Sequence, residues 1–230
     1  MLDRLLPDIC VGCKQQGSII CKQCTSNLLP HPEICLATKH ESPYGKITRG
    51  ARQDGRALAG CMICFRFDPL INTCIRALKY HHRRHLATFL SSKLSLLIQC
   101  NPLIEKDTTL LTRVPSHRWR RYITKGYNQS QLLANRTSIN LSIPSVHLLS
   151  KNRHTLSQVG LNRKDRVTNL ANAYTLTNQG KKTITDNKIT TVIIIDDVVT
   201  TGTTLNECAK ALTIHFPHLN VWGCCLARHG

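Results

Sequence analysis

The sequence predicts an α/β protein: a mainly parallel sheet with helices on both faces, carrying a small cysteine-rich head at its N-terminus. Three observations predict it. Residues 192–195, Val-Ile-Ile-Ile, are a run of apolar β-formers, which reads as a strand buried on both faces of a covered sheet. Leu205, Cys208, Ala209, Ala211 and Leu212 follow at helical spacing, so a helix comes straight after the strand. Near the front stand Cys10, Cys13, Cys21 and Cys24 in the order C-x2-C-x7-C-x2-C.

The chain has 230 residues, which suits one α/β domain with a small appendage. We place the boundary between a head of residues 1–66 and a body of residues 67–230. No run approaches 18 apolar residues, so no transmembrane helix is expected. The first ten residues, MLDRLLPDIC, lack the apolar core of a signal peptide, and the expected location is cytoplasmic. In that compartment the 12 cysteines are expected to be thiols or metal ligands rather than disulfides.

Two C-x2-C turns suit a tetrahedral zinc, because each turn presents two thiolates to one face of the ion. The predicted ligands are Cys10, Cys13, Cys21 and Cys24. Four thiolates leave no open position, so the role is structural. Cys61 and Cys64 make another half-site. Cys35 and His40 are candidate partners for a second zinc, although Thr38 stands where a matching turn would place cysteine. Residues 40–56 hold glycine, proline, serine and charge and read as a loop. Cys74, Cys100, Cys208, Cys224 and Cys225 fall in apolar segments and read as small core residues.

Residues 68–100 read as two amphipathic helices. Leu70, Ile71, Cys74, Ile75 and Leu78 mark the first, and Leu86, Phe89, Leu90, Leu94, Leu97 and Ile98 the second. Residues 79–85, KYHHRRH, join them as a dense basic patch, either a solvated junction or a phosphate contact. Residues 110–115 read as a central strand that Pro115 ends. A cationic loop follows with Arg118, Arg120, Arg121 and Lys125, and a helix begins through Gln131, Leu132 and Leu133. A basic loop between strand and helix suits a pyrophosphate, and read alone it suits nucleic acid equally.

Residues 143–149 read as a further strand. Residues 150–170 are polar and basic, with Lys151, Arg153, Arg163 and Arg166; they suit a lid over a phosphoryl site or an ordinary exposed loop and helix. Residues 178–187 look like a connector. Residues 221–227 form the last strand.

The chemistry concentrates at residues 192–204, VIIIDDVVTTGTT. Two acids, Asp196 and Asp197, follow the apolar run. Then come Thr200, Thr201, Gly202, Thr203 and Thr204, at the start of the helix. A helix N-terminus carries free N–H donors and partial positive charge, so a phosphate fits there. Gly202 allows close backbone approach or a positive φ. The carboxylates can accept from sugar hydroxyls or hold a magnesium shell. A phosphorylated sugar needs both parts at once. No Gly-Lys-Ser/Thr follows the strand, and G-x-G-x-x-G is absent, which sets aside the P-loop and the dinucleotide fold.

This string resembles the phosphoribosyl-pyrophosphate (PRPP) signature of the type I phosphoribosyltransferases. By that resemblance Asp196 and Asp197 hold the ribose 2′- and 3′-hydroxyls, and residues 200–204 cradle the 5′-phosphate. The order of motifs resembles a narrower group. A zinc-ribbon head, VPSHRWRRYITKGYNQSQLLA at 114–134, RHTLSQVGLNRKDRVTNLANAY at 153–174 and VIIIDDVVTTGTTL at 192–205 are together similar to the ComF/GntX family. The resemblance covers nearly the whole chain. It implies a type I phosphoribosyltransferase-like body and a role in DNA uptake or utilisation. Lys125 stands where the family usually has arginine, which keeps the charge but not the bidentate fork.

Lysine and arginine outnumber aspartate and glutamate 31 to 13, for a net charge of +18. That balance implies an anionic partner: nucleic acid, polyphosphate or an acidic membrane. Aromatics make up only 5%, too few for a wide base-stacking platform. Three functional classes fit these features. One is a binder of PRPP with magnesium. Another is an enzyme that transfers phosphoribose to an acceptor. The third is an adaptor that binds single-stranded DNA or competence proteins and is regulated by a nucleotide.

Overall fold

The computed structural model describes residues 8–28, 30–36, 57–80, 85–115, 128–152 and 172–229. A five-stranded sheet forms its centre. The strands are β1 (Pro30–Leu36), β2 (Gly60–Arg66), β3 (Thr109–Arg113), β6 (Thr191–Val199) and β7 (Asn220–Arg228). Their order is β1-β2-β7-β6-β3. β1 runs antiparallel to β2, and every other pairing is parallel. β4 (Leu149–Lys151) and β5 (Tyr174–Leu176) form a separate antiparallel pair. The expected strand at 143–149 is reduced to a single parallel bridge, Ser145 to Leu111, and β4 begins where it was to end.

Three of the helices begin at a side chain that accepts from their first turn. Asp68 Oδ1 accepts the N–H of Ile71 at 2.8 Å, and Pro69 follows Asp68 as the first residue of α2 (Pro69–Tyr80). The side chain of Asn128 accepts from Gln131 N at 3.2 Å and opens α4 (Gln129–Leu141). Thr177 Oγ1 accepts from Gly180 N at 2.9 Å and opens α5 (Asn178–Asp186). The remaining helices are α1 (Lys22–Asn27), α3 (Leu86–Gln99) and α6 (Thr203–Thr213).

Side chains alternate across a strand, so the two faces of the sheet build two cores. On one face Met62, Cys64, Ile193, Ile195, Cys224 and Leu226 meet α2, α3 and α4. On the other Cys61, Ile63, Val192, Ile194, Val221 and Cys225 meet α5, α6 and the β4–β5 pair. The sheet is thus mainly parallel and covered on both faces, as expected. Burying one Leu or Ile of these cores is worth about 1.5–3 kcal/mol.

The residues of the cysteine turns belong to the first core. Cys10, Val11, Cys24 and Leu28 are buried in it, and Leu70 of α2 packs against it. A Cβ placed on Gly12 would lie 2.7 Å from Cys24 Sγ and 2.8 Å from Leu70 Cδ1, so the first turn lies directly against α2. A cut at 66/67 falls just after β2. β2 pairs with β7 from Gly60↔Trp222 to Arg66↔Arg228, so the segments on either side of the cut share one sheet.

Other readings change as well. The strand at 110–115, expected to be central, is β3 at the end of the strand order. Residues 178–187 are a helix rather than a connector. Its sequence, NQGKKTITD, has no apolar stripe, and only Gly180 and Ile184 are buried. Cys100 is exposed at the C-terminal end of α3, unlike the other four expected core cysteines, which are buried. Cys61 and Cys64 lie on one strand three residues apart and enter opposite cores. They do not form a turn that grips one ion.

Candidate functional site

Cys10, Cys13, Cys21 and Cys24 come together in space, with their sulfurs all within 4.8 Å of one another. Cys13 Sγ and Cys21 Sγ are 3.6 Å apart. The edge of a tetrahedron with Zn–S bonds of about 2.3 Å is about 3.8 Å. Backbone donors already face the sulfurs: Cys21 N reaches Cys10 Sγ at 3.3 Å, and Cys24 N reaches Cys21 Sγ at 3.4 Å. Burial pushes the Cys10 thiol up, but the N–H groups of Cys21, Cys13 and Gly12 outweigh it and bring it down to about 6. Burial and the neighbouring thiols push Cys24 up to about 12. Four crowded sulfurs with one favoured as thiolate are a donor set that can hold zinc.

The acids sit at the C-terminal edge of the parallel sheet, where α/β folds bind ligands. β3 accompanies β6 only as far as Arg113↔Ile195. β7 continues beside β6 to Val199↔Arg228. Asp196 and Asp197 therefore lie within β6 itself, just past the point where β3 ends, and both remain partly open to solvent. Asp196 Oδ1 accepts from Ser130 Oγ at 2.9 Å and from Asp197 N at 3.0 Å. Asp197 Oδ1 accepts from Val198 N at 2.7 Å, and Asp197 Oδ2 pairs with Lys79 Nζ at 2.7 Å.

The two carboxyls are not equivalent. Burial, and then the charge of Asp197, push Asp196 from 3.8 up to about 7, while Ser130, the Asp197 N–H and Lys79 act in the other direction. Like charges on adjacent residues resist joint ionisation, so one of the pair is held poised near neutrality.

The Thr/Gly turn leads into α6. Gly202 stands at the N-cap with φ 74° and ψ 0°, a left-handed conformation that a side chain resists. Thr201 Oγ1 and Thr203 Oγ1 are 2.8 Å apart, and Thr203 N faces Thr201 Oγ1 at 3.5 Å. Gly202 has no side chain and so offers no cap of its own to the helix start. Thr200 is exposed, and Thr201, Thr203 and Thr204 are half-buried. Hydroxyls, backbone N–H groups and a positive helix end thus converge a few residues beyond the acids, the arrangement that takes an anion.

Arg118, Arg120, Arg121 and Lys125 lie outside the described residues, as do His40, residues 81–84, Arg153, Arg163 and Arg166. The described ends of the cationic stretch 116–127 are close to the site. Asn128 Nδ2 donates to Val114 O at 3.5 Å, and Ser130, two residues on, holds Asp196.

Ser130 is absent from the sequence reading of the site, and Lys79 entered that reading only as the first residue of the basic patch at 79–85, with no link to the acids. Ser130 lies in the first turn of α4, inside the stretch that carried the family resemblance, but nothing local marks its hydroxyl. Lys79 lies at the end of α2, within the basic patch, and only the fold places it on Asp197.

The chain is 30% identical to competence protein F of Haemophilus influenzae over 229 residues, spanning 96% of this chain and 90% of that protein. The chain belongs to the competence protein F (ComF) family. Other relatives of this ComF-family chain are named DNA utilization protein YhgH. The one from Escherichia coli K12 is 33% identical over 171 residues, covering 70% of this chain and 69% of that protein. The one from Shigella flexneri is 32% identical over 172 residues, with the same coverage. No protein-family model matches the chain. Among the described residues of this ComF-family chain, no helix is long and apolar enough to cross a membrane.

Proposed function

We propose that this ComF-family chain binds PRPP, or a related sugar phosphate, together with magnesium, and serves DNA uptake or DNA utilisation. The observation that carries the binding half is the junction of β6 and α6. A partly open acid pair is followed at once by a left-handed glycine and a threonine-lined helix start. The assigned roles follow the chemistry. Asp196 and Asp197 accept from ribose hydroxyls and attract the magnesium shell. Thr200, Thr201, Gly202, Thr203 and Thr204 hold the 5′-phosphate. Arg118, Arg120, Arg121 and Lys125 supply cations for the pyrophosphate. Zinc at Cys10, Cys13, Cys21 and Cys24 closes the N-terminal turns.

The DNA half rests on the names of the relatives and on the +18 charge. That charge also favours the adaptor reading, in which the chain binds single-stranded DNA and the sugar-phosphate site regulates it. If the site transfers phosphoribose, the C1′–O bond to pyrophosphate breaks. Pyrophosphate leaves with the electron pair, and an acceptor nucleophile bonds to C1′ and gives up its proton. Positive charge gathers on the ribose as the leaving group departs. Fixed carboxylates nearby would stabilise that charge more than they stabilise the ground state.

The test is calorimetry with Mg·PRPP, together with pyrophosphate release with and without bases, amines or DNA ends. Saturable release that Asp196→Asn and Asp197→Asn both abolish would establish an enzyme. Binding without release would establish the regulatory reading. No PRPP binding would overturn the sugar-phosphate assignment.

A further inference from the structure

We infer that Lys79 is a ligand-binding residue of the acidic site: it holds Asp197 in the free protein and turns to the diphosphate end of an incoming sugar phosphate. This rests on the sugar-phosphate reading and names a cation that α2 brings to it. The geometry is built from three elements. Lys79 Nζ lies 2.7 Å from Asp197 Oδ2. The carbonyl of the same lysine accepts from Gln129 Nε2 at 3.5 Å. The next residue, Ser130, donates to Asp196. The last turn of α2, the first turn of α4 and the acid pair of β6 are therefore tied together at one point.

Charge explains why a cation belongs there. Two adjacent carboxylates repel a polyanionic ligand, and the C-terminal end of α2 adds partial negative charge. Lys79 stands in that last turn and offsets both. Its side chain is 30% exposed against 13% for Asp197, so the lysine is the more open partner of the pair. A lysine has a flexible four-carbon stem and three donors, which lets it change partner without moving the backbone.

The layers of the fold say which end of the ligand it meets. The threonine turn opens α6, which packs on one face of the sheet. Lys79 comes from α2, which packs on the other. The acids lie between them. A ribose held by the acids would direct one anionic substituent to the turn and the other toward α2. With the 5′-phosphate at the turn, the substituent at C1′ is the one that reaches Lys79. PRPP has a diphosphate there, and ribose 5-phosphate has only a hydroxyl.

The experiment is calorimetry on the full chain with magnesium, comparing PRPP and ribose 5-phosphate for wild type, Lys79→Met, Lys79→Gln and Lys79→Arg. The two neutral variants should lose about tenfold or more in PRPP affinity, the scale of one charge-assisted contact, and much less for ribose 5-phosphate. Lys79→Arg should recover most of the loss. Two neutral variants of different shape, each checked by its thermal transition, guard against a failure to fold. Unchanged PRPP affinity would overturn the inference. Equal losses for both ligands would also overturn it, since they would show that Lys79 acts only by positioning Asp197. If wild type binds neither ligand, the sugar-phosphate reading fails first and the role of Lys79 fails with it.

Discussion

Replacing Asp196 with asparagine should make the protein more stable while it destroys the site. Burial and the charge of Asp197 raise the Asp196 carboxyl from 3.8 to about 7. A folded pKa above the unfolded one means that the native state binds the extra proton between those values. The stability this contributes is fully present below about pH 4 and is lost as pH rises through about 7. At 1.36 kcal/mol per pH unit the gap is worth at most ~4 kcal/mol. Asp196 is partly open to solvent and keeps some hydration, so we expect a penalty of roughly 2 kcal/mol above pH 7.5. Asparagine keeps the acceptor that Ser130 Oγ and Asp197 N use, and it removes the charge. The variant should gain about 2 kcal/mol at pH 8 and almost nothing at pH 4. For a chain of this size that is ~4–8 °C in Tm. Urea or thermal unfolding of both proteins at pH 4, 6 and 8 reads this directly. Asp197→Asn has two opposed effects: it leaves Lys79 without its carboxylate, worth up to ~1 kcal/mol for a half-exposed pair, and it relieves Asp196 of a neighbouring charge, so its net gain at pH 8 should be smaller than that of Asp196→Asn. An Asp196→Asn protein that is no more stable than wild type at pH 8, or whose advantage does not shrink toward pH 4, would refute the reasoning.

Thr204→Val and Gly202→Val should each weaken Mg·PRPP binding about tenfold or more, the scale of one charge-assisted contact. Gly202→Val should also lower stability by ~1–3 kcal/mol, because valine resists φ 74°; unchanged affinity in both would remove the turn from the site. Metal analysis of reduced protein should find one zinc per chain. Chelation should disorder the cysteine turns and also lower PRPP affinity, since Leu70 of α2 rests on those turns and α2 carries Lys79. Two zincs would contradict the placement of Cys61 and Cys64 on opposite faces. Single-stranded DNA should bind weakly, without strong sequence preference, and with an affinity that falls steeply with salt. Affinity retained at high salt would point to base contacts instead.

The sequence by itself determined the parts whose chemistry is contiguous. The run 192–205 is strand, acid pair, turn and helix start in one stretch, so periodicity and residue type suffice to read it. The cysteine turns are legible for the same reason, because each half-site needs only two residues of separation. Helices α2, α3 and α6 showed themselves through apolar stripes. Where a segment buries little, that signal fails. Helix α5 has only Gly180 and Ile184 inside, its start depends on a single threonine cap, and a Cβ at Gly180 would lie 2.9 Å from the carbonyl of Leu148.

Tertiary structure decided everything that depends on which distant segments meet. The last strand in the chain, β7, lies in the middle of the sheet between β2 and β6, and no local pattern states that order. The same ladder extends β6 beside β7 while β3 stops early, and this leaves the acids within a strand yet open on one side. Strand geometry sends Cys61 and Cys64 to opposite cores, whereas their spacing had suggested a turn. Ser130 and Lys79 reach the acid pair because α4 and α2 pack on one face of the sheet with their ends at its C-terminal edge. A hydroxyl in a polar helix turn and a lysine in a basic run look alike wherever they point. Only the packing of those helices gives these two a carboxylate to hold.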